Sequence, residues 1–168
     1  MTGTSPSGWP DDWERRKKGE GCLLCAALTG APFGSMELVG RGHWTAVYTD
    51  RRAVPGYCTV VWAGGHAVEP TELPAEAANG YWQEVLAAAR AAEVAFQPVK
   101  LNFLTLGNNT PHLHTLVLPR YADDPAPGQT MPMDRLFSLQ RDQEEAGAMI
   151  DRLRSFLDRE LEAAAAQP

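Results

Sequence analysis

Four short stretches of the chain are rich in β-branched, aromatic and other apolar residues, and two longer stretches carry apolar residues at helical spacing. Trp44 to Tyr48 and Tyr57 to Trp62, separated by turn formers between Asp50 and Gly56, predict an antiparallel strand pair. Pro70 to Pro74 breaks the chain. From Ala75 to Phe96, Trp82, Val85, Leu86, Ala89 and Val94 then recur near the helical period, with Pro98 marking the end. Leu101 to Leu106 and His112 to Leu118 predict two further strands, joined by a tight connection over Gly107-Asn108-Asn109-Thr110-Pro111. A second helix is expected from Asp134 to Ala164, with Met149, Ile150, Leu153, Phe156, Leu157 and Leu161 on one stripe. The pattern predicts an α+β domain with a mostly antiparallel sheet of about five strands and two principal helices. The domain is expected over residues 21–164, after a flexible N-terminal segment at 1–20 in which Trp9 and Trp13 are the only large apolar side chains.

Composition narrows the partners. At 168 residues the chain fits one domain, and a net charge of −6 with both signs interspersed offers no broad basic face for a nucleic-acid backbone. No apolar run approaches the roughly 20 residues that span a bilayer, and residues 1–10 do not read as a basic segment followed by an apolar one. A cytoplasmic protein with a small-molecule ligand is the expectation, without a nucleic-acid polymer or membrane partner. Three cysteines, two of them close together, do not make a secreted disulfide framework.

The chemistry concentrates in Pro111-His112-Leu113-His114-Thr115-Leu116-Val117-Leu118-Pro119-Arg120. On a strand, His112, His114, Leu116 and Leu118 would share one face at steps of about 7 Å, with Leu113, Thr115 and Val117 on the other. A neutral imidazole is a competent nucleophile towards phosphorus, and an acceptor at one ring nitrogen determines which nitrogen is free to attack. The Gly/Asn turn beside the pair adds donors for phosphate oxygens. The competing reading is a pair of polar strand residues with satisfied hydrogen bonds.

This segment resembles the signature of the histidine triad (HIT) family, in which three histidines alternate with apolar residues before Pro-Arg. Leu101-Asn102-Phe103-Leu104-Thr105-Leu106-Gly107-Asn108, Pro111-His112-Leu113-His114-Thr115 and Pro119-Arg120-Tyr121 carry the resemblance, with weaker matches at Cys22-Leu23-Leu24-Cys25, Pro55-Gly56-Tyr57 and His66. It implies a HIT-like fold and a nucleotide hydrolase or transferase acting at the α-phosphorus of a nucleoside phosphate conjugate, such as a dinucleoside polyphosphate or a nucleoside phosphoramidate. His114 would be the nucleophile and would form a nucleotidyl-histidine, with His112 supporting the site. Asn102, Asn108 and Asp50 match positions that hold ribose, phosphate or leaving group, and family proteins are commonly homodimers whose sheets join. The third histidine of the triad falls on Leu116, which has no donor, so the alternative is a nucleotide-binding protein with little or no turnover.

Cys22 and Cys25 have the C-x-x-C spacing that lets two thiolates reach one tetrahedral ion, with His66 and His112 as distant candidates for the other donors. The resemblance implies a structural zinc held by Cys22, Cys25, His66 and His112. Small core residues or a redox pair are the other readings of the cysteines. Cys58, inside a strand, is expected to be buried and inert, and His43 a surface or packing residue. Trp44, Trp62 and Tyr57 suit either the core or stacking on a base. Arg120 suits either phosphate or a surface ion pair.

Overall fold

A computed structural model describes residues 8–166. Five strands form one fully antiparallel sheet in the order β1-β2-β3-β5-β4, from β1 (Met36–Arg41), β2 (Thr45–Asp50), β3 (Cys58–Trp62), β4 (Lys100–Leu104) and β5 (His114–Arg120). The long helices are α3 (Ala75–Phe96) and α5 (Gln143–Ala165), joined by the short helices α1 (Trp13–Lys17), α2 (Leu23–Leu28) and α4 (Met133–Leu136). The expected α+β class, the antiparallel sheet and the two principal helices are all present.

One face of the sheet is covered by α3 and α5. Val47, Val60, Trp62 and Val117 from the sheet meet Tyr81, Val85 and Ala88 of α3 and Ile150, Leu153 and Leu157 of α5. Of the five residues expected on one stripe of α3, Val85 and Ala89 are buried. Ala87, Ala88, Ala89, Ala91, Ala92 and Ala95 are buried, whereas Trp82, Leu86 and Val94 are exposed. The helix is wedged between the sheet and α5, and alanine permits that close approach on two sides. Among the described residues, short segments cover the other face. Leu24 and Ala27 of α2 pack on Ala46, Tyr48 and Val61, and Met131, Leu136 and Phe137 pack on Tyr57, Leu116 and Leu118.

Several boundaries move, each for a physical reason. The edge strand β1 was not assigned from the sequence; its polar residues and the bulge between Leu38 and Gly40 blur the period-two signal. The second helix begins at Gln143 rather than Asp134, because Asp142 caps it by accepting from the Glu145 N–H at 2.8 Å. The connection from β4 to β5 is not a tight hairpin, and β5 begins at His114, so His112 does not lie on the strand. Leu113 instead exchanges backbone bonds with Trp62 and Ala67, drawing the chain before β5 towards the end of β3. Of the N-terminal segment, residues 8–20 include α1, and Arg16 reaches the Asn109 carbonyl at 3.2 Å.

Candidate active site and metal centre

The strand β5 sorts its side chains between two environments. Leu113, Thr115 and Val117 face the helices, where the Thr115 hydroxyl lies 2.8 Å from that of Tyr81. His114 and Leu116 line a cleft of about 430 Å³ on the opposite face, with Phe33, Ser35, Met36, Asp50, Arg52, Tyr57, Thr59 and Thr110. The Nδ1–H of His114 donates to the His112 carbonyl at 2.6 Å. A carbonyl can only accept, so Nδ1 carries the proton and Nε2 keeps its lone pair. Burial holds the His114 pKa below that of an ordinary histidine, and the bond to the carbonyl offsets this only in part. The ring is therefore neutral near neutral pH, with one nitrogen available as base, nucleophile or ligand.

His112 is fully buried and turned the other way. Its Nε2–H donates to the Trp62 carbonyl at 2.9 Å, leaving Nδ1 3.5 Å from Cys22 Sγ and 3.4 Å from Cys25 Sγ. His66 repeats the device: Nε2–H donates to the Lys17 carbonyl at 3.0 Å, and Nδ1 lies 3.4 Å from Cys25 Sγ. The four ligand atoms of Cys22, Cys25, His66 and His112 all fall within 4.8 Å of one another.

This donor set can be tested against zinc. With Zn–S of about 2.3 Å and Zn–N of about 2.0–2.1 Å, a tetrahedral ion separates its S and N ligands by roughly 3.5 Å. The observed contacts of 3.4 to 3.5 Å match that edge. Each imidazole has its second nitrogen tied to a backbone carbonyl, the arrangement that orients a metal-binding histidine. The cysteines are presented by α2, where Cys22 is the N-cap and its sulfur accepts from the Cys25 N–H at 3.4 Å. Burial, then the neighbouring Cys22, pushes the Cys25 thiol up to about 11, so two facing thiolates need a cation between them. Gly19, at φ +82°, lets the chain after α1 pass the His66 ring; a Cβ there would lie 3.0 Å from its Cγ.

The remaining expected residues divide. Asp50 lines the cleft with His114 but is already engaged, accepting from the Arg52 N–H at 2.8 Å and its Nη2 at 3.0 Å, and from the Ser35 hydroxyl. Burial opposes its ionisation, yet the bonds from Arg52 and Ser35 prevail and hold its carboxyl below the usual range. Asn102 lies away from the cleft on β4, opposite Leu118, where its Oδ1 accepts from Arg120 Nη1 at 2.7 Å. Arg120 also donates to Asp124, to the Gln129 carbonyl at 2.9 Å and to the Ala126 carbonyl at 2.8 Å, and is buried. Its ion pair with Asp124 is buried rather than at the surface. Asn108 is exposed on the loop and is not among the residues that line the cleft.

Trp44 and Trp62 stack at 5.7 Å and pack against the core on the helix side, away from the cleft. Tyr57 alone of the three aromatics lines it. Cys58 is buried, and burial pushes its thiol up to about 12. His43 is exposed, edge-on to Trp44 at 4.5 Å. Ser35, Arg52, Thr59 and Thr110 were not picked out as cleft residues from the sequence. Thr59 had the strongest signal, since it alternates with Tyr57 on a predicted strand.

Several solved structures with the same architecture are histidine triad proteins. One from Bradyrhizobium japonicum superposes with a TM-score of 0.65 at 24% identity, covering 73% of this chain and 91% of that one. A hypothetical histidine triad nucleotide-binding protein from Sulfolobus tokodaii has a TM-score of 0.61 at 17% identity, covering 82% and 93%. A Zn-bound histidine triad family protein from Mycobacterium smegmatis has a TM-score of 0.57 at 21% identity, covering 83% and 97%. No family model and no curated protein matches the sequence. With the antiparallel sheet, its two covering helices and the histidine-bearing fifth strand, the chain has the histidine triad fold.

Proposed function

We propose that the protein is a nucleotide hydrolase or transferase acting at the α-phosphorus of a nucleoside phosphate conjugate, of the dinucleoside polyphosphate or nucleoside phosphoramidate type. The observation that carries this reading is the His114 Nδ1–H bond to the His112 carbonyl, which leaves Nε2 unprotonated on a residue lining a cleft of about 430 Å³. His114 Nε2 attacks the α-phosphorus, a phosphorus–nitrogen bond forms, and the bond to the leaving group breaks as that group takes up a proton from solvent water. Water then cleaves the nucleotidyl-histidine and releases nucleoside monophosphate. Asp50, in the same cleft, is the residue we assign to the ribose, exchanging its bonds to Arg52 and Ser35 for sugar hydroxyls. Asn108 would reach the leaving group from its loop, and Asn102 with Arg120 would support β4 and β5.

Zinc fits the donor set of Cys22, Cys25, His66 and His112. Bound there it would keep both thiols ionised and pin His112, whose carbonyl accepts the hydrogen bond from His114 Nδ1–H. Its part is structural, and no chemical step passes through it. A cytoplasmic location agrees with three cysteines none of which forms a disulfide. No helix among the described residues is long and apolar enough to cross a membrane. A homodimer is supported by the edge strand β4, where Val99, Phe103 and Leu106 flank unpaired backbone and are exposed.

Intact-protein mass after brief incubation with adenylated and guanylated conjugates tests the proposal. A mass increase of one nucleotidyl group, lost in His114→Ala, with release of nucleoside monophosphate is the expected outcome. Nucleotide binding without adduct or release from any conjugate would favour the second reading, a nucleotide-binding protein with little turnover, for which Leu116 is the supporting observation.

A further inference from the structure

The position two residues beyond His114 on the same strand face is Leu116, which has no hydrogen-bond donor. Its Cα partner across the β3–β5 ladder is Thr59. Directly opposed residues of an antiparallel pair project to the same face with Cβ atoms about 4.5–5.5 Å apart. Thr59 therefore places a hydroxyl beside the site that leucine leaves without one. Its Oγ1 lies 2.8 Å from the Tyr57 hydroxyl, and both residues line the cleft with His114.

The two hydroxyls carry two protons, and the bond between them uses one. Among the described residues no other hydrogen bond is found for either side chain, although Thr59 is only 4% exposed and Tyr57 only 2%. Burial raises the Tyr57 pKa well above the usual phenol range, so its proton is retained. When Tyr57 donates to Thr59, the threonine proton is directed to whatever occupies the cleft. We propose that the Thr59 hydroxyl, oriented by Tyr57, is the donor to the phosphate oxygens of a substrate at His114, taking the place of a donor at position 116. Thr59 contacts substrate, and Tyr57 is a positioning residue. This inference rests on the reading of His114 as a nucleophile.

The test is steady-state release of nucleoside monophosphate from adenosine 5′-phosphoramidate and a diadenosine polyphosphate by the full chain. Thr59→Val keeps the shape and removes the donor; kcat is expected to fall about 10²- to 10³-fold with little change in KM, as for loss of one preorganised oxyanion donor. Thr59→Ser should retain most of the wild-type kcat. Leu116→His should rescue Thr59→Val by a larger factor than it accelerates wild type, because the two donors serve the same oxygens. Tyr57→Phe, which leaves Thr59 in place, should lower kcat less than Thr59→Val and provides a readout should the valine variant not fold. An active wild type with unchanged kcat in Thr59→Val, or in Tyr57→Phe if that alone folds, overturns the inference and leaves the His114 reading standing. A wild type that forms no adduct and releases nothing overturns that reading, and the inference with it.

Discussion

The imidazoles of His66 and His112 meet edge to face, with ring centroids 5.2 Å apart and planes at 79°, His112 presenting Nδ1 to the sulfurs of both Cys22 and Cys25 and His66 presenting Nδ1 to that of Cys25. Two imidazole nitrogens and two sulfurs converging on one point suit an ion at the centre. Protein purified without added metal should contain about one zinc per chain, measured by elemental analysis, and Cys25→Ser should lose it. Because the site ties residues far apart in the chain, a strong chelator should lower Tm by roughly 10 °C or more. Metal-free wild type with an unchanged Tm would remove the zinc.

Glu84 is buried on α3 and closes the start of β2. Its carboxylate accepts from the His43 N–H at 2.8 Å, the Trp44 N–H at 3.1 Å and the Thr45 hydroxyl at 2.7 Å. A Cβ at Gly42 would lie 2.1 Å from Glu84 Oε2. Glu84→Ala strands these donors and should cost about 2–4 kcal/mol in urea unfolding. Gly42→Ala should destabilise through the clash instead. Near-wild-type stability of both variants would remove this account of the junction.

The Arg120–Asp124 pair is almost wholly buried, with side chains 9% and 5% exposed. The guanidinium of Arg120 holds the Asp124 carboxyl below its ordinary value of 3.8. A folded pKa below the unfolded one contributes stability that is complete above the unfolded value and is lost as pH falls through the folded value. Asp124→Ala, which leaves Arg120 unpaired, should cost about 3–5 kcal/mol at neutral pH. Thermal melts from pH 7 down to pH 2 should show the gap between wild type and variant closing only in the acid range, below about pH 4. A gap that stays constant with pH would mean that the pair is not its source.

Phe103 is opposite Val117 in the sheet, on the helix-covered face, yet it is 44% exposed because β4 is the edge strand. Sedimentation should find a homodimer for wild type and a monomer for Phe103→Glu, since a charge on an edge strand blocks pairing with another chain. A dimer that survives Phe103→Glu would locate the contact elsewhere.

Much of the fold was legible because it is local. The β-branched and aromatic run from Tyr57 to Trp62 and the helical period of Met149, Ile150, Leu153 and Leu157 report burial that depends on a strand or helix alone. The edge strand β1 was hidden by a bulge and by charged residues at 37 and 41. On α3 the apolar period marks the buried side only in part: Val85 and Ala89 are buried and Trp82 and Leu86 are exposed, while the alanine-rich stretch from Ala87 to Ala92 packs closely, as small residues at a helix–sheet contact do.

For the candidate site, the sequence by itself determined the chemistry on offer: a C-x-x-C pair, two histidines two residues apart, and leucine where the triad signature has its third histidine. Tertiary structure decided how those groups are used. It drew His112 off the strand, because Leu113 bonds to Trp62 and Ala67, and so turned one histidine towards the cysteines while leaving its neighbour in the cleft. It also set Thr59 opposite Leu116 and committed Arg120 to Asp124. Residue types can be read along the chain, but strand register and the competition of buried donors for acceptors join distant segments. Those relations exist only once the sheet has formed.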